Sequence, residues 1–279
     1  MSMSWHAHLE IDYRTDPSGA TRSHDRFEGP LRVLQSLYPE GPQVCQHVIV
    51  HPPGGVVGGD TLDVSLRLRA NSHALLTTAG ATRFYRSAGP LAFQRVWARA
   101  AEGSRLEWLP LEAIAYDGAQ AENRLVFELE PGAEMIGWDV LALGLPAAGQ
   151  AFVRGCFSQH VELPGRWLER GRLRADDVQL LDSPLGLAGH RTLGCLWFAS
   201  GSALTSARRA QLLDAARVHA GGHALAATAG ATSPEPGLVV LRVLAERVEP
   251  LMTLFKTVWA DWRHQGWGRP AVPPRVWRT

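Results

Sequence analysis

His51-Pro52-Pro53-Gly54-Gly55-Val56-Val57-Gly58-Gly59-Asp60 leads directly into Thr61-Leu62-Asp63-Val64-Ser65-Leu66-Arg67-Leu68-Arg69, and this stretch decides the fold class. Its second half alternates: Leu62, Val64, Leu66 and Leu68 are apolar, while Asp63, Ser65, Arg67 and Arg69 are polar. A period of two places the apolar set on one face of a strand with only that face buried. The first half holds four glycines and two prolines in ten residues. Proline fixes φ and removes a backbone donor; glycine admits positive φ and close backbone approach. The segment is therefore a shaped loop that delivers Asp60 to the head of a strand. It is not a nucleotide loop, because no Gly-Lys-Ser/Thr follows and no Gly-x-Gly-x-x-Gly opens a helix.

The same pattern extends outward. Short apolar runs at Val48–His51, Ala74–Thr77, Phe93–Ala98, Leu106–Leu109, Leu125–Leu129, Met135–Leu143 and Phe152–Leu163 read as strands. Gly89-Pro90, Gly103-Ser104, Asp117-Gly118, Pro131-Gly132 and Pro164-Gly165 separate them as turns. This rhythm fits a mainly β chain built as a sandwich, a barrel or a solenoid. No fixed internal repeat is present to choose the solenoid.

Two helices are expected late in the chain. One runs from Thr205 to about Ala220, with Thr205 as N-cap and Gly221-Gly222 as the stop. The other spans about Val248 to His264, with Pro250 in its first turn and an apolar stripe of Leu251, Leu254, Phe255, Val258, Trp259 and Trp262. His223–Thr228 and Leu238–Val243 read as strands, so the chain ends in a small α+β extension.

The 28 basic residues nearly balance the 27 acidic ones, so neither nucleic acid nor an anionic membrane is an expected partner. No apolar run is long enough to span a bilayer. The start, Met1-Ser2-Met3-Ser4-Trp5, has no basic-then-apolar leader. Cys45, Cys156 and Cys195 are odd in number and far apart, which predicts buried, reduced thiols in a cytoplasmic protein.

Two kinds of chemistry can be weighed. Asp60, Glu112, Asp117, Asp139 and Glu169 would allow a carbohydrate- or ester-active enzyme on a β-scaffold if two of them pair. There is no Gly-x-Ser-x-Gly elbow, and acidic residues in turns usually bond the local backbone, so a non-enzyme is expected. The histidines do not cluster. His6 and His8 are read as part of a frayed terminus. His47 and His51, if extended, lie about 13 Å apart, too far for one ion. His219 and His223 are separated by Gly221-Gly222, which breaks a helical His pair. Trp267 and Trp277 fall in a Pro/Gly-rich tail that wraps against the body or a partner.

Three further blocks follow the Gly/Pro loop: Thr77-Thr78-Ala79-Gly80-Ala81-Thr82-Arg83-Phe84-Tyr85-Arg86-Ser87, Leu106-Glu107-Trp108-Leu109-Pro110-Leu111-Glu112 and Gly137-Trp138-Asp139-Val140-Leu141-Ala142-Leu143-Gly144. In this order and spacing, the four blocks resemble the UreD family of urease accessory proteins, called UreH in some systems. The likeness runs from Gly29-Pro30-Leu31 to Pro274-Arg275-Val276-Trp277-Arg278-Thr279. It implies one domain over 1–279, with a β-helix-like superhelical stack of sheets over about 5–200 and the α+β extension over about 201–279. It also implies a non-catalytic partner that binds UreF, and through it the GTPase UreG and the urease apoprotein, and helps load nickel. No cofactor would be tightly bound: Ni²⁺ would be in transit, and GTP would act only through UreG. The resemblance places Asp60, Thr82 and Asp139 along a nickel passage, with Glu169 as a fourth candidate.

Overall fold

The computed structural model describes residues 5–145 and 148–278. Met1–Ser4, the start read as lacking a leader, and Thr279 of the last block lie outside the described residues. The strands are β1 (His6–Thr15), β2 (Thr21–Glu28), β3 (Arg32–Val33), β4 (Val44–Val50), β5 (Thr61–Leu68), β6 (His73–Thr78), β7 (Thr82–Phe84), β8 (Ala92–Ala100) and β9 (Arg105–Trp108). They continue as β10 (Ala113–Ala115), β11 (Gln120–Leu129), β12 (Glu134–Leu143), β13 (Cys156–Leu163), β14 (Trp167–Arg174), β15 (Thr192–Ser200), β16 (Ala229–Glu235) and β17 (Leu238–Ala245). The helices are α1 (Val178–Asp182), α2 (Ser206–Gly221) and α3 (Val248–Trp267).

From β4 onward the chain steps between two sheets. β5, β8, β11 and β13 lie parallel and side by side in the first sheet, and β1 joins them on β5. β4, β6, β9 and β12 do the same in the second. Each turn adds one strand to each sheet and advances one place, so the stack is solenoid-like. β2 and β14 close the first sheet antiparallel, while β15, β17 and β16 extend the second. No sequence repeat is needed, because each strand's register is fixed by which parity of residues it must bury. In β5, Leu62, Val64, Leu66 and Leu68 are all buried against the facing sheet.

A second core lies on the outer face of the second sheet, where α2 and α3 pack. This explains why Met135–Leu143 reads as an apolar run broken only by Asp139. Met135 and Leu141 of β12 face the first sheet, whereas Ile136, Trp138 and Val140 face the helices. Thr205 caps α2, its hydroxyl accepting from Arg208 N at 3.2 Å.

Several expectations require correction. His6 and His8 belong to β1, not to a frayed end: Ala7, Leu9, Ile11 and Tyr13 form a buried alternation that holds this segment between β2 and β5. His6 also contacts the Asp63 carboxylate. His223–Thr228 is not a strand. Turn bonds, including His223 Nδ1 accepting from Leu225 N at 3.2 Å, run into a 3-10 turn at Ala226–Thr228, and the strand starts at Ala229. The strand expected from Phe152 begins at Cys156, because Asp117 Oδ1 accepts from Val153 N and Arg154 N and holds a turn there. Trp267 ends α3. Trp277 does lie against the body: its Nε1 donates to Thr77 Oγ1 at 2.8 Å, and its ring stands 5.4 Å from Trp138 and 5.3 Å from Trp259.

A buried charge network fastens α3 to the second sheet. Arg263, fully buried, donates to Glu40 Oε2 at 2.5 Å and to Pro270 O at 3.0 Å, and its Nε lies 3.3 Å from Glu107. Glu107 also accepts from Trp259 Nε1 at 2.6 Å and pairs with His73 Nε2 at 2.7 Å. Burial alone would raise the Glu107 carboxyl; the His73 bond and the Arg263 charge overcome this and hold it below the usual range.

Candidate functional site

A polar layer crosses the apolar core between the two sheets. On the first sheet Gln94, Asn123 and Gln159 are neighbours in register on β8, β11 and β13. On the second, Asp139, Cys195 and Arg242 form a rung across β12, β15 and β17. The rows beside the amides are apolar: Val64, Val96, Leu125 and Val161 on one side, Ala92, Ala121 and Phe157 on the other.

Hydrogen bonds join the two sheets through this layer. Gln94 Nε2 donates to Asn123 Oδ1 at 3.0 Å, Asn123 Nδ2 donates to Asp139 Oδ1 at 3.1 Å, and Gln159 Nε2 donates to Asp139 Oδ2 at 2.9 Å. Asp139 is 5% exposed. Burial pushes its carboxyl up to about 6, against the lowering effect of the Gln159 and Asn123 bonds. Among the described residues its hydrogen-bond donors are these two amides; no guanidinium or ammonium donates to it. It is a buried carboxylate short of positive charge.

Cavities lie at both ends of the layer. Asp139, Gln159, Glu169, Cys195 and Arg242 line one of about 460 Å³, bordered also by Leu180 and Leu187 near α1. Glu169 of β14 is tied to Arg242, whose Nε lies 2.9 Å from Oε1 and 3.1 Å from Oε2 and whose Nη2 contacts Oε2. The other cavity, about 260 Å³, lies beneath the Gly/Pro loop and is lined by His51, Thr78, Thr82, Gln94 and Trp108. Gln94 borders this cavity and Asp139 the first, so the amide line connects them.

The four expected site residues therefore fall in three places. Asp139 and Glu169 share a cavity. Thr82 heads β7 and lines the other. Asp60 is 2% exposed; it accepts from Val57 N at 3.0 Å and Trp5 N at 3.3 Å and so closes the Gly/Pro loop. It lines neither cavity, but its charge acts on His51, which lines the smaller one: burial lowers the His51 pKa, and Asp60 opposes that shift. Of the other carboxylates, Asp117 is bound by Arg154 and Glu112 lies away from the layer. No group of three or more His, Cys, Asp or Glu side chains among the described residues is placed to hold a metal ion.

Sequence reasoning missed Gln94, Asn123 and Gln159. The signal was present: Asn123 interrupts the buried parity Ala121, Leu125, Phe127, and Gln159 interrupts Phe157, Val161, Leu163. A polar residue at an inward position must find partners.

The profile of the family described as UreD urease accessory protein matches residues 6–278, which takes in all four blocks, both cavities and the polar layer. The chain belongs to the UreD family. Its relatives agree. A protein of Leptothrix cholodnii, named urease accessory protein UreD, is 60% identical over 278 residues, covering 99% of this chain and all of the relative. One of Variovorax paradoxus with the same name is 59% identical, with the same coverage. One of Methylibium petroleiphilum, again so named, is 53% identical over 296 aligned positions. The shared name is that of an accessory protein. Among the described residues of this UreD-family chain, no helix is long and apolar enough to cross a membrane.

Proposed function

We propose that the chain is a cytoplasmic, non-catalytic scaffold and metallochaperone component for assembly of the urease nickel centre. It binds UreF, through UreF the GTPase UreG, and the urease apoprotein, and it gives Ni²⁺ a route between them. The observation that supports this reading best is the layer Gln94–Asn123–Asp139–Gln159, which sets a carboxylate with only amide donors between two cavities. Carboxylate and amide oxygens suit a cation that must leave again, whereas clustered imidazoles or thiolates would retain it. Asp139, Glu169 and Thr82 border the route, and Asp60 acts on it through the loop and His51.

Co-purification tests the scaffold half. The chain should form a stable complex with its cognate UreF at several salt concentrations and turn over no glycoside or ester. Failure to form the complex, or turnover lost on removing a carboxylate, contradicts it.

A further inference from the structure

The outer end of the Asp139 rung is not open carboxylate. Arg242 occupies Glu169 in a two-pronged pair, and both side chains are about half-buried at the cavity rim. Their surroundings leave room to move. Gly230 is the cross-strand neighbour of Arg242, and Gly171 that of Gln159; a Cβ at either glycine would meet nothing within 4 Å. Arg242, Glu169 and Asp139 all act electrostatically on Cys195, so the four form one field.

Charge counting then separates two states. With Arg242 in place and Asp139 ionised, the three charged groups sum to one negative charge. With Arg242 swung into solvent, they sum to two, matching a divalent cation. An ion pair this exposed holds weakly and exchanges readily.

We propose that the Glu169–Arg242 pair is an exchangeable latch on the Asp139 cavity: Arg242 holds Glu169 until a divalent cation displaces it, and retakes it when the cation moves on. The intramolecular competitor lowers the resting affinity further than the sparse oxygen ligands alone would. The proposal rests on the reading that Ni²⁺ traverses this cavity.

Nickel titration calorimetry on the full chain tests it, with thermal melts confirming that each variant is folded. Arg242→Gln should bind Ni²⁺ about tenfold more tightly than wild type, since a competing charge has been removed. The gain should vanish in Arg242→Gln/Glu169→Gln. Arg242→Lys, which keeps the charge but not the fork, should fall between the two and serves if the glutamine variant does not fold. Unchanged affinity in Arg242→Gln and Arg242→Lys overturns the latch, as does a gain that survives loss of Glu169. A separate arm isolates the underlying reading. If Asp139→Asn lowers nickel per urease site while Arg242→Gln binds as wild type, the route stands and the latch falls. If Asp139→Asn leaves nickel loading normal, the route itself falls.

Discussion

Asn123 Nδ2 donates to Asp139 Oδ1 at 3.1 Å, joining a strand of one sheet to a strand of the other through the middle of the core. The bond helps to fix where the carboxylate sits. It does not neutralise it, and burial leaves the Asp139 carboxyl raised to about 6, from an ordinary value of 3.8. The folded chain therefore holds this proton more tightly than the unfolded chain. The stability linked to the group is fully present below about pH 4 and is lost as pH rises through about 6. Each tenfold gain in proton affinity is worth about 1.4 kcal/mol, so the whole effect is about 3 kcal/mol. Asp139→Asn cannot ionise, so its stability relative to wild type should rise by up to about 3 kcal/mol between about pH 4 and pH 7. Urea denaturation across that range checks it; a difference constant with pH would mean that the carboxylate is matched by a cation.

The Gly/Pro loop offers a geometric test. A side chain at Gly58 would place its Cβ 2.0 Å from Ser87 Oγ and 2.7 Å from Pro90 O, and the second atom is backbone. Gly59 has φ +98°. Gly58→Val and Gly59→Val should each cost about 1–3 kcal/mol in thermal or urea melts. Gly80, with nothing within 4 Å of its Cβ position and no positive φ, should accept alanine within about 0.5 kcal/mol. Equal melts for all three would make the loop a permissive turn.

Arg263→Ala removes the cation shared by Glu40 and Glu107 and leaves both carboxylates buried. Losing one side of such a network typically costs about 3–5 kcal/mol. The loss should be read in denaturant melts; a change under about 1 kcal/mol would show that the network relaxes to water.

Asp60 separates two roles. Asp60→Ala strips the acceptor from Val57 N and Trp5 N, which should cost about 1–3 kcal/mol. Asp60→Asn keeps one of the two acceptors, so it should lose less stability than alanine, and it removes the charge beside His51. If nickel loading of urease falls in the asparagine variant by more than its melt explains, the charge serves the route; if both variants only lose stability, Asp60 is a loop fastener.

Much of this fold was legible because alternation survives burial on one face. Leu62–Leu68 announced a strand, Thr205 announced a helix start, and Pro250 and the tryptophan stripe announced α3. β1 was missed because its buried residues alternate with His6, His8 and Glu10 near a terminus, where polar residues imitate fraying. His223–Thr228 was misread because a run of small residues carries no period, and local turn bonds decided it. For the site, Asp139 was visible among apolar neighbours and Glu169 as one of five candidate carboxylates, which the resemblance narrowed to a passage. The amides that place Asp139 come from two strands of the other sheet, and Arg242 lies 73 residues from Glu169. A constellation assembled across sheets leaves no spacing in sequence; only inward-facing polar residues hint at it.

On the proposed route, the Asp139 layer carries nickel without retaining it. The deciding measurement is nickel per urease active site after activation with Asp139→Ala, taken beside a pull-down of the same variant with UreF. Substoichiometric nickel with UreF binding nearly intact is the expected result. Full nickel loading with Asp139→Ala would contradict the route and leave the layer a structural bridge between the sheets.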